Sequence, residues 1–342
     1  MLEELKKQIL EAKKIAIFPT ARIDLDCISS AAVMLEVCKF LNPNAEVSIW
    51  CDFSVDNYHK FIAEGYTFNK FDEAHKDFTM YDLGIIVDGV TKSQLLKKNL
   101  GKVELTLPYS LVLIDHHSEN NTREEAKIVM VNSKYRSATA IIWDQIVKVL
   151  GLKNNKKIVT LCLAGYLGDT QYLRWTYNAE DIKTFEEMVE CGGDLGFVNK
   201  NYFRFLSYKD LQTCFKLVDY TRVDEEKGYY FVVIPLKFEA ENKLTFDDFG
   251  NIKDYYLTQL QNTSNWKLIV TIKESPKSFV WVSMRSSEDS GIDCSQICRN
   301  IAEGGRGGGH ERSAGANFKD NFDDAYQHVK DVIDSYLQNR NP

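Results

Sequence analysis

Two short, uninterrupted apolar runs, Leu83–Val87 (LGIIV) and Leu111–Ile114 (LVLI), limit what this chain can become more than any other feature. Each has the length of a strand, and neither alternates apolar with polar residues, so both faces of such a strand must be buried. A parallel sheet held between helix layers meets that condition. Lys14–Pro19 (KIAIFP) and Ala45–Cys51 (AEVSIWC) read as two further strands. Cys27–Leu41, Val55–Glu64, Ser137–Leu150 and Lys156–Leu167 read as helices, and the opening MLEELKKQILEAKK is a charged amphipathic one. This alternation predicts an α/β fold, a doubly wound and mainly parallel sheet, over residues 1–178.

The pattern then changes. Asn178–Cys191 carries Ile182, Phe185, Met188 and Val189 at helical spacing and stops at Gly192-Gly193, so a linker helix is expected within 179–200. Residues 201–342 read as a smaller α+β domain, with strands at Tyr229–Leu236, Trp266–Ile272 and Phe279–Met284, then a helix and a glycine cluster at 304–309. A net charge of −7 argues against a general binder of long nucleic acid, which needs a basic surface. No apolar run is long enough to span a membrane, and the first residues lack the apolar core of a signal peptide, so a cytoplasmic protein is expected. The eight cysteines form no CxxC pair and read as buried, reduced thiols.

Chemistry collects at the predicted strand ends. Asp24 and Asp26 follow the first strand, Asp88 ends LGIIV, Asp115-His116-His117 ends LVLI, and Asp169 follows the apolar helix LCLAGYLG. A parallel sheet places such ends along one edge, where ligands bind. Any one of these aspartates alone would be read as a turn or N-cap residue. Together they repel one another unless cations neutralise them. Asp mixed with His suits Mn²⁺, with Mg²⁺ or Fe²⁺ as alternatives, and two ions sharing a carboxylate would activate water for attack on phosphorus. In the second domain, Gly304-Gly305-Arg306-Gly307-Gly308-Gly309-His310 reads either as a flexible loop or as a loop whose backbone N–H groups meet an anion, with Arg285 and His310 as added donors.

Taken in order, Asp24-Leu25-Asp26, Asp88, Asp115-His116-His117 and Gly168-Asp169-Thr170 resemble the four motifs of the DHH-family phosphoesterases. Gly307-Gly308-Gly309-His310 and Ser313-Ala314-Gly315 resemble the glycine–histidine motif of the DHH-associated C-terminal domain. The resemblance covers nearly the whole chain and points to the branch of oligoribonucleases, pAp phosphatases and cyclic di-AMP or pApA phosphodiesterases. It implies that Asp24 and Asp88 hold a first ion. Asp26, Asp88, His116 and Asp169 hold a second, with Asp88 bridging. It further implies that His117 contacts the scissile phosphate, that Asp115 orients a histidine, and that Arg285, Gly307, Gly308, Gly309 and His310 grip the substrate. The implied substrate is a small nucleotide or short oligonucleotide cleaved exonuclease-fashion, and the reading leaves room for a homodimer.

The first motif departs from the family pattern His-x-Asn-Pro-Asp, since Thr20-Ala21-Arg22-Ile23-Asp24 stands there. Thr20 replaces the imidazole with a poorer ligand, and Arg22 brings a positive charge that weakens the first ion or takes over part of its role on the phosphate. The rival expectation is a nucleotide-binding or regulatory protein with a degenerate first-ion site and little turnover.

Overall fold

The computed structural model describes residues 1–20, 24–52, 59–71, 76–89, 95, 105–117, 126–176, 178–202, 206–275, 279–302, 306–319 and 321–338, without the side chains of 246–248, 306 and 310. The chain divides into two compact units, Met1–Phe205 and Leu206–Pro342. Among the described residues, no helix is long and apolar enough to cross a membrane. All eight cysteines are free thiols, seven of them buried, as expected from the sequence.

The first unit is built on six strands: β1 (Lys14–Pro19), β2 (Glu46–Cys51), β3 (Phe68–Lys70), β4 (Leu83–Val87), β5 (Leu111–Asp115) and β6 (Ile128–Val131). They pair in the order β3-β2-β1-β4-β5-β6, parallel throughout. The uninterrupted runs of β4 and β5 are buried at every position. One face of the sheet, through Ile15, Ile17, Ile85, Val87, Val112 and Ile114, belongs to the main core. The opposite face, through Ala16, Phe18, Ile86 and Leu113, packs on Phe71 and Phe78. Phe78 meets Phe18 edge to face at 5.0 Å and Trp50 at 5.2 Å. Chain build-up reverses between β1 and β4, which opens a crevice at the carboxyl ends of those two strands.

Among the described residues, seven helices accompany the sheet: α1 (Leu2–Glu11), α2 (Leu25–Leu41), α3 (Lys60–Ala63), α4 (Ala138–Ile142), α5 (Lys156–Asp169), α6 (Ala179–Glu190) and α7 (Leu195–Tyr202). α4 widens into a π-helical stretch over Trp143–Val147. α3 falls within the helix expected at Val55–Glu64, whose residues 55–58 lie outside the described ones. α6 is the helix expected as a linker, and it lays Met188 into the main core. α2 is buried almost all round because it lies in the main core with the strands, α4 and α5. α5 meets the start of α2 through a bare backbone, since a Cβ on Gly168 would sit 2.6 Å from the Cβ of Leu25.

The second unit holds α8 (Tyr208–Lys216), β7 (Thr221–Asp224), β8 (Tyr229–Ile234), α9 (Leu236–Asn242), α10 (Phe246–Leu260), β9 (Leu268–Glu274), β10 (Val280–Ser286), α11 (Cys294–Ile301), β11 (Arg306–His310), β12 (Ser313–Phe318) and α12 (Phe322–Gln338). Its mixed sheet runs β11-β12-β10-β9-β8-β7, with β8 and β9 parallel and the other pairs antiparallel. α11 and α12 bury Ile297, Ile301, Val329 and Ile333 against Val270, Val282, Met284 and Ala316. One expectation is corrected here. The glycine run read as a loop is, from Arg306 to His310, the edge strand β11, paired with β12. Glycine serves close approach at this edge, because a Cβ on Gly307 would collide with the carbonyl of Cys298 in α11. Gly304 and Gly305 lie outside the described residues.

Gly168→Ala is expected to destabilise the protein by about 1–3 kcal/mol through overpacking, although a Gly→Ala change in an open helix stabilises by up to about 1 kcal/mol. Urea unfolding measures the sign, and a stabilised variant would contradict the close approach of α5 to α2.

Candidate metal centre

Asp24 caps α2 in extended backbone, its Oδ1 accepting the N–H of Cys27 at 2.8 Å. One helical step on, Asp26 is fully buried. Its carboxylate is held from α4: Oδ2 accepts the N–H of Ala138 at 2.6 Å, while Oδ1 accepts the N–H of Thr139 at 2.9 Å and the Thr139 hydroxyl at 2.5 Å. Ser137, which caps α4, lies 2.9 Å from that same hydroxyl. α5 makes room with Gly165, where a Cβ would come within 2.9 Å of Asp26 Oδ1 and 2.7 Å of Thr139 Oγ1. Sequence reasoning missed Thr139 and Gly165. The available signals were a serine N-cap before an apolar helix and a glycine inside another.

Asp88 follows β4 in left-handed backbone (φ 51°) and is buried. His116 Nε2 stands 3.5 Å from its Oδ1 and His117 Nδ1 stands 3.7 Å away, both too long for hydrogen bonds. Asp88 Oδ1 is therefore a buried acceptor with no hydrogen-bond partner. His116 Nε2 also lies 3.1 Å from Asp169 Oδ2 at the end of α5. His117 Nδ1 sits 2.7 Å from Asp115 Oδ1, so Asp115 orients His117. After Asp169, Gln171, Tyr172 and Leu173 all have positive φ. With Asp88 they make four of the six such non-glycine residues described, so backbone strain concentrates around these carboxylates.

Two groups of possible ligand atoms result, each within a 4.8 Å span: Asp26, Asp88, His116 and Asp169, and Asp88, Asp115, His116 and His117. Asp24 belongs to neither group, but after burial its charge is the strongest influence pushing Asp88 well above the usual carboxylate range. Burial, then the charge of Asp169, pushes Asp26 up to about 7. Burial pulls His116 down, but Asp169 and Asp88 outweigh it and hold the imidazole well above its ordinary pKa. Burial likewise works against Asp115, yet His117 keeps that carboxyl below its usual range. Thr20, at the position of the family's histidine, is buried, with its hydroxyl 3.7 Å from Cys27 Sγ and its carbonyl accepting that thiol at 3.5 Å. Arg22 lies outside the described residues, as does the side chain of His310. In the second unit, Arg285 stands on β10, where its Nη1 donates to the carbonyl of Met284 at 3.1 Å, and Gly307, Gly308 and Gly309 stand on β11.

The donor set fits a hard divalent cation. It joins three carboxylates and an imidazole, two of the carboxylates buried and one of them, Asp88, with an oxygen that makes no hydrogen bond. The fold and these motifs agree with the family comparison. The DHH family, N-terminal domain, matches residues 14–166, and the DHHA1 domain matches residues 230–339. The chain belongs to the DHH family of phosphoesterases. Its fold is similar to that of an exopolyphosphatase-related protein from Bacteroides fragilis (14% identity, 98% of this chain and 96% of that one, TM-score 0.82). It is also similar to RecJ from Thermus thermophilus in complex with Mn²⁺ (15% identity, 99% of this chain and 54% of that one, TM-score 0.52). At such identities the likeness is one of fold. No curated protein sequence matches the chain.

The raised groups fix the sign of a pH effect. Folded Asp26 keeps its proton to about pH 7, so its contribution is full below the unfolded pKa near 4 and disappears as pH rises through 7. His116, also raised, acts with the same sign at higher pH. In chelator, stability is expected to fall between pH 5 and 8, by up to about 1.4 kcal/mol per pH unit for each retained proton. Asp26→Asn should flatten that slope. Denaturant unfolding across this range checks it, and equal slopes in the two proteins would contradict the assignment.

Proposed function

We propose that this protein hydrolyses phosphoester bonds in small nucleotides in a Mn²⁺-dependent reaction. Short oligonucleotides, dinucleotides such as pApA or cyclic di-AMP, and pAp are the candidate substrates. The observation that carries the reading is that Asp26, Asp88, His116 and Asp169 bring their donor atoms within 4.8 Å of one another, with the buried Asp88 Oδ1 facing two imidazoles but making no hydrogen bond. Those four residues would hold one ion, and Asp24 with Asp88 would serve a second. Bound there, a divalent ion would polarise the phosphate as a Lewis acid and make water more acidic as a nucleophile. Mn²⁺ is the ion present in the RecJ structure of similar fold.

The chain's own groups supply the rest. Asp115, at 2.7 Å from Nδ1, fixes the ring and tautomer of His117 and leaves Nε2 to face the scissile phosphate. In the second unit, Arg285, Gly307, Gly308, Gly309 and His310 would serve as donors to a substrate phosphate, as the family resemblance implies. A net charge of −7 suits short substrates held at a few points better than long strands. One feature favours a second reading, a nucleotide-binding protein with little turnover: Thr20 gives the first ion no imidazole.

A panel of pAp, pApA, cyclic di-AMP, short RNA, bis-p-nitrophenyl phosphate and pyrophosphate, with Mn²⁺ and then with excess EDTA, separates the readings. The expected result is Mn²⁺-dependent cleavage of a small nucleotide that ceases in EDTA. Asp88→Asn should lower kcat/KM by at least about a hundredfold, more than loss of a mere supporting partner. Full turnover by metal-free protein, or pyrophosphate as the best substrate, would overturn the proposal. Nucleotide binding without turnover would select the second reading.

A further inference from the structure

Asp26 enters the ligand cluster with both carboxylate oxygens already hydrogen-bonded, and unequally so. A carboxylate offers about four acceptor positions, two on each oxygen. Oδ1 fills both of its own, one with the Thr139 N–H and one with the Thr139 hydroxyl. Oδ2 fills one, with the Ala138 N–H, and keeps the other open. The backbone of α5 lies against the filled oxygen, since a Cβ on Gly165 would stand 2.9 Å from Oδ1. The same Cβ would stand 2.6 Å from the Thr139 methyl and 2.7 Å from its hydroxyl, so the threonine has little room to turn away.

The hydrogen bonds also fix which way Thr139 points its proton. An ionised Asp26 can only accept, so the Thr139 hydroxyl donates to it at 2.5 Å and is left to accept in turn. Ser137 Oγ, 2.9 Å from that hydroxyl, accepts the N–H of Ala140 and supplies the proton that Thr139 takes. Ser137, Thr139 and Asp26 are all fully buried, so bulk water does not compete for these positions. Neither Ser137 nor Thr139 belongs to the four motifs that carry the family resemblance.

We propose that Thr139 is a positioning residue that makes Asp26 a one-oxygen ligand, offering Oδ2 alone to the cation and so favouring small octahedral ions over Ca²⁺. The inference rests on the cation-site reading above and deepens it. Mg²⁺ and Mn²⁺ suit an octahedral array, which carboxylates complete through single oxygens. Ca²⁺ is larger, takes about six to eight oxygen ligands and readily uses both oxygens of one carboxylate. A carboxylate whose second oxygen is filled by Thr139 and walled by α5 therefore denies Ca²⁺ a ligand that the smaller ions do not need. Thr139 acts on the choice of ion through Asp26.

The test is metal binding to the full chain without substrate. Mn²⁺ affinity is read from the loss of the free-ion electron paramagnetic resonance signal, and Ca²⁺ affinity from competition against Mn²⁺. The unaltered protein is expected to prefer Mn²⁺. Thr139→Ala removes the hydroxyl and leaves the carboxylate room to turn, and it should reduce that preference by about tenfold, the low end for loss of a group that orients a ligand. Thr139→Val fills the space but cannot donate, and it should move the ratio in the same direction. Thr139→Ser keeps the hydroxyl and should keep the preference. Thermal unfolding of each metal-free variant checks that it folds. A merely structural role would weaken both ions alike. Equal losses for the two ions, a ratio unchanged in the folded Ala or Val variant, or a serine variant that behaves like alanine would overturn the proposal. An unaltered protein that binds no Mn²⁺ would instead reject the cation site itself, an outcome distinct from Mn²⁺ binding with an unmoved ratio.

Discussion

Like charges removed from water must be met by something, and the first unit is arranged around that demand. Asp26 and Asp88 are buried at the carboxyl ends of neighbouring parts of a parallel sheet, with Asp169 and two imidazoles closing in. In the metal-free state, protons meet part of the demand, which is why Asp26 is pushed up to about 7 and His116 is held well above its ordinary range. The fold tolerates this because hydrogen bonds fix each group first. Backbone N–H groups and a hydroxyl from α4 hold Asp26, and Asp115 holds His117. Asp88 is the exception: its Oδ1 faces both imidazoles at 3.5 and 3.7 Å and makes no hydrogen bond. A divalent cation answers all of these conditions together.

The doubly wound architecture explains why the cluster lies where it does. β1 and β4 are adjacent although 63 residues of chain separate Pro19 from Leu83, and the reversal of build-up between them splits the loops apart. Asp24 and Asp26 arrive from one side of that split and Asp88 from the other. Asp169 comes from the end of a helix that approaches α2 closely only because Gly165 and Gly168 lack side chains. The left-handed turns at Asp88 and at 171–173 are the local cost of aiming these groups inward.

Much of this was legible in the sequence, for physical reasons that also limit the reading. LGIIV and LVLI announce strands buried on both faces, and an aspartate after each marks the edge where the site forms. Strands β3 and β6 are three and four residues long, too short to impose a period of their own. The glycine run carries no apolar pattern, so its place as an edge strand follows only from pairing with β12 and from its contact with α11. Thr139 and Gly165 were invisible as site residues because their places depend on partners distant in the chain. Asp26 is 113 positions from Thr139, and no local pattern joins them.

Asp26, Asp88, His116 and Asp169 are assigned here as a divalent-cation site, and anomalous diffraction from crystals soaked in Mn²⁺ is the sharpest check on that assignment. A strong manganese peak is expected about 2.0–2.3 Å from an oxygen or nitrogen of each of these four residues, with any peak beside Thr20 and Asp24 weaker. A peak elsewhere with none in this cluster, or no bound manganese at concentrations that support hydrolysis, would contradict it.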